Sequence, residues 1–168
     1  MTKTTSSVKS NIAHGSRIDR LVGATGLAAV LLVASLVGPG WVHAPADPAT
    51  GAPATTLDFQ GLNTLTSLVP STAWQQAYFG WLGWAMVVLT IAVGIAASLR
   101  RDGRSGTALV LASSLGLVAS LFAVKGTMSW SELIAATDTM RIGSYMLIVG
   151  YVVSMAVGII VLARRRAA

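Results

Sequence analysis

Four long runs of apolar residues dominate the pattern of hydrophobic and polar positions along the chain. No Asp, Glu, Lys, Arg or His interrupts these runs, which cover residues 21–40, 77–99, 107–124 and 142–163. A transmembrane helix needs about 20 apolar residues to cross about 30 Å of hydrocarbon. Helices of a soluble bundle carry polar outer faces, which these runs lack. The pattern therefore predicts an all-α, polytopic membrane protein built as a four-transmembrane-helix bundle.

The polar segments divide the remainder of the chain. Residues 1–16 are rich in Thr and Ser and show no periodicity, so they predict a disordered tail ahead of a single transmembrane domain at 17–168. Two longer segments, 41–76 and 125–141, form outer loops that are too short to fold as separate domains. We expect each loop to carry a short interfacial helix.

Local signals in the first loop place its elements. Gly38, Pro39 and Gly40 should end the first helix. Within residues 57–69, apolar positions recur at helical spacing and predict a short helix on the membrane surface. A strand through 55–59 is an alternative for the beginning of that segment.

The second loop has a clearer helix signal. Its Ser129–Glu132 tetrapeptide fits the capping box, in which Ser caps the helix and Glu bonds back to the Ser backbone. The pattern predicts a helix from Trp130 to about Ala136. Thr137 or Asp138 would then cap the fourth span.

The basic residues indicate the orientation of the spans. Only Lys125 and Arg141 fall on the side of the two loops, and the positive-inside rule therefore places both termini and the turn between the second and third spans in the cytoplasm. The preference for Ala, Gly, Val and Arg resembles a GC-rich bacterial genome, so we expect the plasma (inner) membrane. The remaining basic residues, all on the predicted cytoplasmic side, are Lys3, Lys9, Arg17, Arg20, Arg100, Arg101, Arg104, Arg164, Arg165 and Arg166.

The first run has a second interpretation, as a secretory signal. Basic residues, an apolar stretch and the small residue Ala44 resemble such a signal and its cleavage site. The run is longer than the usual apolar region of about 7–15 residues. Cleavage after Ala44 would also leave Pro45 first, which is unfavourable. We therefore expect a retained helix; cleavage would leave three spans.

Charge and composition narrow the classes of partner. A net charge of +6 would suggest nucleic acid in a soluble protein, but here the charge follows the topology and no nucleic-acid partner is expected. The basic surplus on one side predicts contact with anionic membrane lipids. The chain has no cysteine, which excludes disulfides, thiolate metal sites and cysteine nucleophiles.

Candidate catalytic residues are few. The apolar runs contain no ionisable group, which disfavours proton relays. His14 and His43 fall on opposite sides of the membrane, so we expect no haem, no metal and no other cofactor. The alternative is an enzyme site on the outer surface, with Glu132 as base and with Lys125 and Arg141 binding a phosphate or carboxylate.

Small residues recur at every fourth position in three of the runs. Lipid offers no hydrophobic gain for helix association, so close backbone approach must supply it. We interpret these rows as packing seams of the bundle, with a seam facing another protein as the alternative. A match of residues 90–95 to 154–159 also leaves a duplicated hairpin open. The rows are Thr90, Gly94 and Ser98; Ala112, Gly116 and Ser120; Gly150, Ser154 and Gly158.

The tryptophans gather at the outer boundary of the spans. Membrane proteins usually carry Trp and Tyr at both interfaces, but here arginine alone marks the inner boundary. Ordinary interfacial anchoring is one interpretation, and a surface for a protein or lipid partner is the sharper one. The candidate surface consists of Trp74, Tyr78, Trp81, Trp84 and Trp130.

These observations favour a non-enzymatic accessory or scaffold subunit. It would belong to a larger plasma-membrane complex serving the envelope or lipid transport, with an integral membrane protein or a second copy as partner. The alternative is a small oligomeric carrier or flippase for an apolar or lipid substrate. That alternative predicts a cavity lined by the Ser and Thr residues of the packing seams.

Overall fold

The computed structural model contains four helices that are long and apolar enough to cross a membrane. The predicted all-α bundle of four such helices is confirmed at this level. The structure describes residues 4–46, 48–49, 51, 53–100 and 102–166, and it describes side chains for these residues except 4–19 and 165–166.

The described residues contain seven α-helices, a π-helical turn, a 3-10 turn and one two-stranded antiparallel sheet. Helix α3, a π-helical turn and α4 run on continuously and together form the second membrane-length helix. The elements are α1 (Thr4–Val37), β1 (Val42–Ala44), β2 (Thr55–Leu57), α2 (Phe59–Leu68), α3 (Ala73–Ala77), the π turn (Tyr78–Leu82), α4 (Gly83–Arg100), α5 (Gly103–Lys125), α6 (Trp130–Ala135), a 3-10 turn (Ala136–Thr139) and α7 (Ile142–Arg166).

Two boundaries differ from the sequence prediction. Residues 4–16, predicted to be disordered, have helical backbone in α1, because extending an existing helix adds a hydrogen bond for each residue fixed. Residues 1–3 of that predicted tail lie outside the described residues. The predicted cap of the fourth span is wrong: α7 begins at Ile142, and the Thr137 hydroxyl donates to the Ile134 carbonyl 2.7 Å away.

The short elements of the first loop combine both interpretations of its sequence. A strand forms at the start, where β2 pairs with β1, and the helix α2 follows directly. Asp58 separates the two elements, and its carboxylate accepts the N–H of Gly61 at 2.6 Å. This N-cap satisfies one of the free N–H groups at the start of α2.

The long helices pack as a four-membered ring in the order α1, α4, α5, α7. Arg20 on α1 and Arg164 on α7 lie together beside one cavity, and the turn between α4 and α5 is at the same end of the bundle. We call this the arginine end. The opposite end, formed by residues 38–72 and 126–141, is called the loop end.

Trp41 joins the separate segments of the loop end. Its indole N–H donates to the carbonyl of Ser35, and its backbone N–H donates to the carbonyl of Leu57 at 2.7 Å. Its own carbonyl accepts the N–H of Arg141 at 2.9 Å and the hydroxyl of Ser144 at 2.7 Å. One residue therefore ties the end of α1 to the sheet and to the start of α7.

A cluster of aromatic rings fills the space beneath Trp41. Phe59 lies at its centre, with ring centroids 5.2 Å from Trp41, 5.4 Å from Phe79 and 6.1 Å from Tyr78. The pairs are edge-on or tilted, as the ring quadrupoles favour. Through these contacts the first loop packs directly on the second membrane-length helix.

Glycines allow the long helices to approach closely. A Cβ at Gly116 on α5 would overlap the ring of Tyr151 on α7, and a Cβ at Gly158 would lie 2.9 Å from the carbonyl oxygen of Gly106. All nine small residues of the predicted packing seams are buried. Close approach maximises dispersion contacts, which are the main attraction between helices in lipid.

The closest of these contacts supplies a stability prediction. Gly116→Ala should lower the free energy of unfolding by about 1–3 kcal/mol, because the Tyr151 ring must move to admit the methyl group. Gly23→Ala is the matched control, since nothing lies within 4 Å of a Cβ there. Unfolding in mixed detergent–SDS micelles measures both. Equal loss of stability in the two variants would contradict the packing described.

Candidate functional site

The structure separates the aromatic residues that the sequence placed on one surface. Trp81, Trp130 and Trp74 are 63%, 52% and 42% exposed, and Trp84 is also exposed. Tyr78, in contrast, is fully buried. Tyr78 therefore does not belong to the exposed candidate surface, contrary to the prediction.

Tyr78 lies one helical turn after Trp74 and faces α5 as Trp74 does, but its hydroxyl has a partner inside the bundle. The N–H of Gly83 donates to the Tyr78 carbonyl, an i→i+5 bond that puts more residues into the turn than an α-helix has. The Tyr78 hydroxyl shares a 2.6 Å hydrogen bond with Ser120 on α5, and Ser120 donates onward to the Gly116 carbonyl. Residue spacing alone does not show which residue of one helical face is covered by the neighbouring helices.

An apolar groove lies between α4 and α5 near the loop end. Its volume is 450 Å³, and no charged side chain lines it within the described residues. We call it the aromatic groove. The side chains that carry the following argument are Trp74, Met86, Leu115, Val118, Ala119 and Phe122.

The ring of Trp74 is held in place at the rim of this groove. Its indole N–H donates to the carbonyl of Ala119 on α5 at 3.2 Å. The start of α3 is fixed by a capping box, in which Thr72 accepts the N–H of Gln75 and the Gln75 side chain accepts the N–H of Thr72, both at 3.1 Å. Gln75 also packs on Gly126, whose φ of 50° suits glycine.

Trp130 extends the exposed aromatic surface beside the groove. Its ring lies edge-on to Phe122 with centroids 6.3 Å apart, and the Lys125 ammonium lies 5.3 Å from its centroid. The predicted capping box orients this helix: the Ser129 N–H donates to Glu132 at 2.6 Å, and the Glu132 N–H donates to the Ser129 hydroxyl. Phe122 thus lines the aromatic groove together with Trp74 and also forms a ring pair with Trp130.

The three residues of the alternative enzyme site each have other contacts in the structure. Glu132 is engaged in its capping box and Lys125 lies over Trp130. Arg141 contributes its backbone N–H to Trp41, and in the described part of the chain no hydrogen bond or ion pair joins Arg141 to Glu132 or Lys125. Within the described ranges, no group of three or more His, Asp or Glu could hold a metal ion.

The structure describes the side chains of some of the arginines that predicted the topology, and these lie at the arginine end. Arg100, Arg104 and Arg164 are exposed there. Arg101 lies outside the described residues. Arg165 and Arg166 continue the backbone of α7, and their side chains are outside the description.

Among the cavities described here, one is lined by a residue of the packing seams. Four cavities in the described residues have volumes between 280 and 450 Å³. Of these, the one between α5 and α7 reaches a seam, at Ser120. Thr90, Ser113 and Tyr151 carry buried hydroxyls without a hydrogen-bond partner among the described residues, and they line none of the four cavities.

Sequence reasoning missed two parts of this site. Phe122 had no signal in the sequence, because it is one apolar residue within a long apolar run. The sequence does not distinguish Trp41 from the other four tryptophans.

No protein-family model, curated protein or solved structure matches the chain.

The capping box of α6 predicts a pH dependence. The backbone N–H of Ser129 and then its hydroxyl hold the pKa of Glu132 below its ordinary value of 4.5, with a smaller contribution from Lys125. Because the capping hydrogen bonds favour the ionised carboxylate, they stabilise α6 fully at pH values above the ordinary pKa of Glu132. This stabilisation is lost as the pH falls through the lowered pKa. We therefore expect amides of residues 130–135 to lose hydrogen-exchange protection as pH drops below about 4.5.

The control for this prediction is Glu132→Gln. Glutamine keeps the capping hydrogen bond and does not titrate. The ratio of wild-type to variant protection removes the intrinsic pH dependence of exchange. A ratio that stays constant between pH 6 and pH 3.5 would show that the carboxylate does not stabilise α6.

Proposed function

We propose that the chain is a non-enzymatic integral membrane subunit whose aromatic groove receives a transmembrane helix of a partner protein. The two would form part of a larger plasma-membrane assembly. The observation that carries this proposal is the hydrogen bond from the Trp74 indole to the carbonyl of Ala119.

That hydrogen bond distinguishes Trp74 from an ordinary interfacial anchor. In an aromatic belt, the indole ring sits in lipid while its N–H reaches the polar headgroup region. The N–H of Trp74 is satisfied inside the protein, yet 42% of the residue remains exposed. A ring that is fixed in advance loses little conformational entropy on binding, which is what a recognition anchor requires.

The shape and chemistry of the groove indicate the class of partner. Two membrane-length helices form its walls, and Leu115, Val118 and Phe122 expose apolar side chains along one of them. Leu115 and Phe122 are seven residues apart, which is two helical turns or about 10 Å. An apolar helix fits this environment, because association in lipid depends on close packing along a shared surface.

The proposed orientation follows from the basic residues. Under the positive-inside rule, the arginine end faces the cytoplasm and the groove opens toward the outer leaflet. The exposed Trp130 would then lie at the outer surface of the membrane, beside the end of the partner helix that reaches that surface. This arrangement gives the partner contacts both in the bilayer and at its surface.

Replacing the two rim residues tests the proposal. Trp74→Leu with Phe122→Leu should lower recovery of a stoichiometric membrane partner by about tenfold or more, because truncating an aromatic hot spot costs about 2 kcal/mol or more. Purification in mild detergent at native expression, followed by quantitative mass spectrometry, measures this recovery. If the partner is a second copy, the same change should lower the dimer fraction.

Trp81→Leu is the matched control. Trp81 is more exposed than Trp74 but does not line the groove, so the control removes an exposed indole without altering the proposed contact. Thermal unfolding of each variant checks that the bundle is intact. Undiminished recovery with the double substitution, or a wild-type protein that purifies as a monomer without a partner, would overturn the proposal.

A further inference from the structure

We infer that a second groove, between α1 and α7 at the arginine end, binds one anionic phospholipid. This groove has a volume of 420 Å³. It is formed by helices other than those of the aromatic groove, so the inference stands independently of the proposed function. The side chains that matter here are Arg20, Ala24, Val153, Ala156, Ile160 and Arg164.

The charged side chains that line this second groove are both positive. Arg20 and Arg164 are the charged residues among its lining, and both are exposed. Neither makes an ion pair with a carboxylate within the part of the chain that the structure describes. Two guanidinium groups that converge on one cavity suit a phosphate, because each can donate a pair of parallel N–H bonds to its oxygens.

The position of the two arginines matches the level of a lipid headgroup. Arg20 is the first residue of one candidate membrane span, and Arg164 is the last residue of another. Their guanidinium groups therefore mark the boundary between the apolar core and the polar region. Basic pockets between transmembrane helices at this level are typical binding sites for anionic headgroups.

The apolar part of the groove matches one acyl chain in depth. From Arg164 the lining continues along α7 through Ile160 and Ala156 to Val153. Arg164 and Val153 are eleven positions apart, a rise of about 16 Å along the helix, and half of a hydrocarbon core is about 15 Å. Ala24 and Ala156 have small side chains and leave space in the groove. An extended acyl chain can therefore lie along the helices, with the lipid phosphate between the two arginines.

Native mass spectrometry of the full chain tests this inference. The protein is purified in mild detergent with equal amounts of phosphatidylglycerol and phosphatidylcholine, and the ratio of the two retained lipids is measured. We expect wild type to retain one phosphatidylglycerol preferentially. Arg20→Gln with Arg164→Gln should lower that preference about tenfold or more, because the two positive charges that favour a headgroup of net negative charge over a zwitterionic one are removed.

Two further variants separate a defined site from diffuse attraction. Arg100→Gln with Arg104→Gln removes the same charge from the same end of the bundle but leaves the groove unchanged, and should keep the preference. Ala156→Trp fills the groove without altering charge, and should abolish it. Circular dichroism checks that each variant folds. If Ala156→Trp does not fold, the comparison of the two double arginine variants tests the inference by itself.

Three outcomes would overturn the inference. Equal retention of both lipids by wild type would show that the groove has no anionic preference. An equal loss in the Arg100 and Arg104 variant would assign the preference to diffuse charge. Retained preference in a folded Ala156→Trp variant would exclude the groove. None of these results bears on partner recovery at the aromatic groove.

Discussion

The two hydrogen bonds accepted by the Trp41 carbonyl are the interaction on which the loop end depends. They bind the start of α7 to the segment that follows α1, and the Trp41 N–H binds the same segment to β2. An unpaired polar group in an apolar environment is costly, so each of these bonds constrains its neighbours strongly. Gly143 permits the contact, since a Cβ there would lie 2.6 Å from the Trp41 ring.

The position of Trp41 determines how the aromatic groove is built. The Trp41 ring packs on Phe59, and Phe59 packs on Tyr78 at the start of the π turn. Tyr78 reaches across to Ser120, which fixes the second membrane-length helix against α5. Trp74 lies four residues before Tyr78 and meets the same helix at Ala119. The exposed rim is thus the outer edge of a buried and hydrogen-bonded arrangement.

The sequence predicts the long helices because their signal is local. Twenty uninterrupted apolar residues specify a span whatever surrounds them, and the Ser129–Glu132 box specifies a helix start within four positions. The burial of Tyr78 was not predictable, since it depends on contacts of Tyr78 with Ser120 on α5 and with Phe59 on α2. Phe122 and the pairing of Arg20 with Arg164 depend likewise on helix packing, which residue spacing does not encode.

The bundle therefore presents two different surfaces at its two ends. One is a fixed aromatic groove at the loop end, and the other is a basic, apolar-walled groove at the arginine end. Site-specific photocrosslinking in native membranes tests the central claim about the first most directly. A photoreactive residue at Val118 should give one discrete crosslink to a partner transmembrane helix, whereas Val30, exposed on α1, should give none. No crosslink at Val118, or the same products from both positions, would contradict the account.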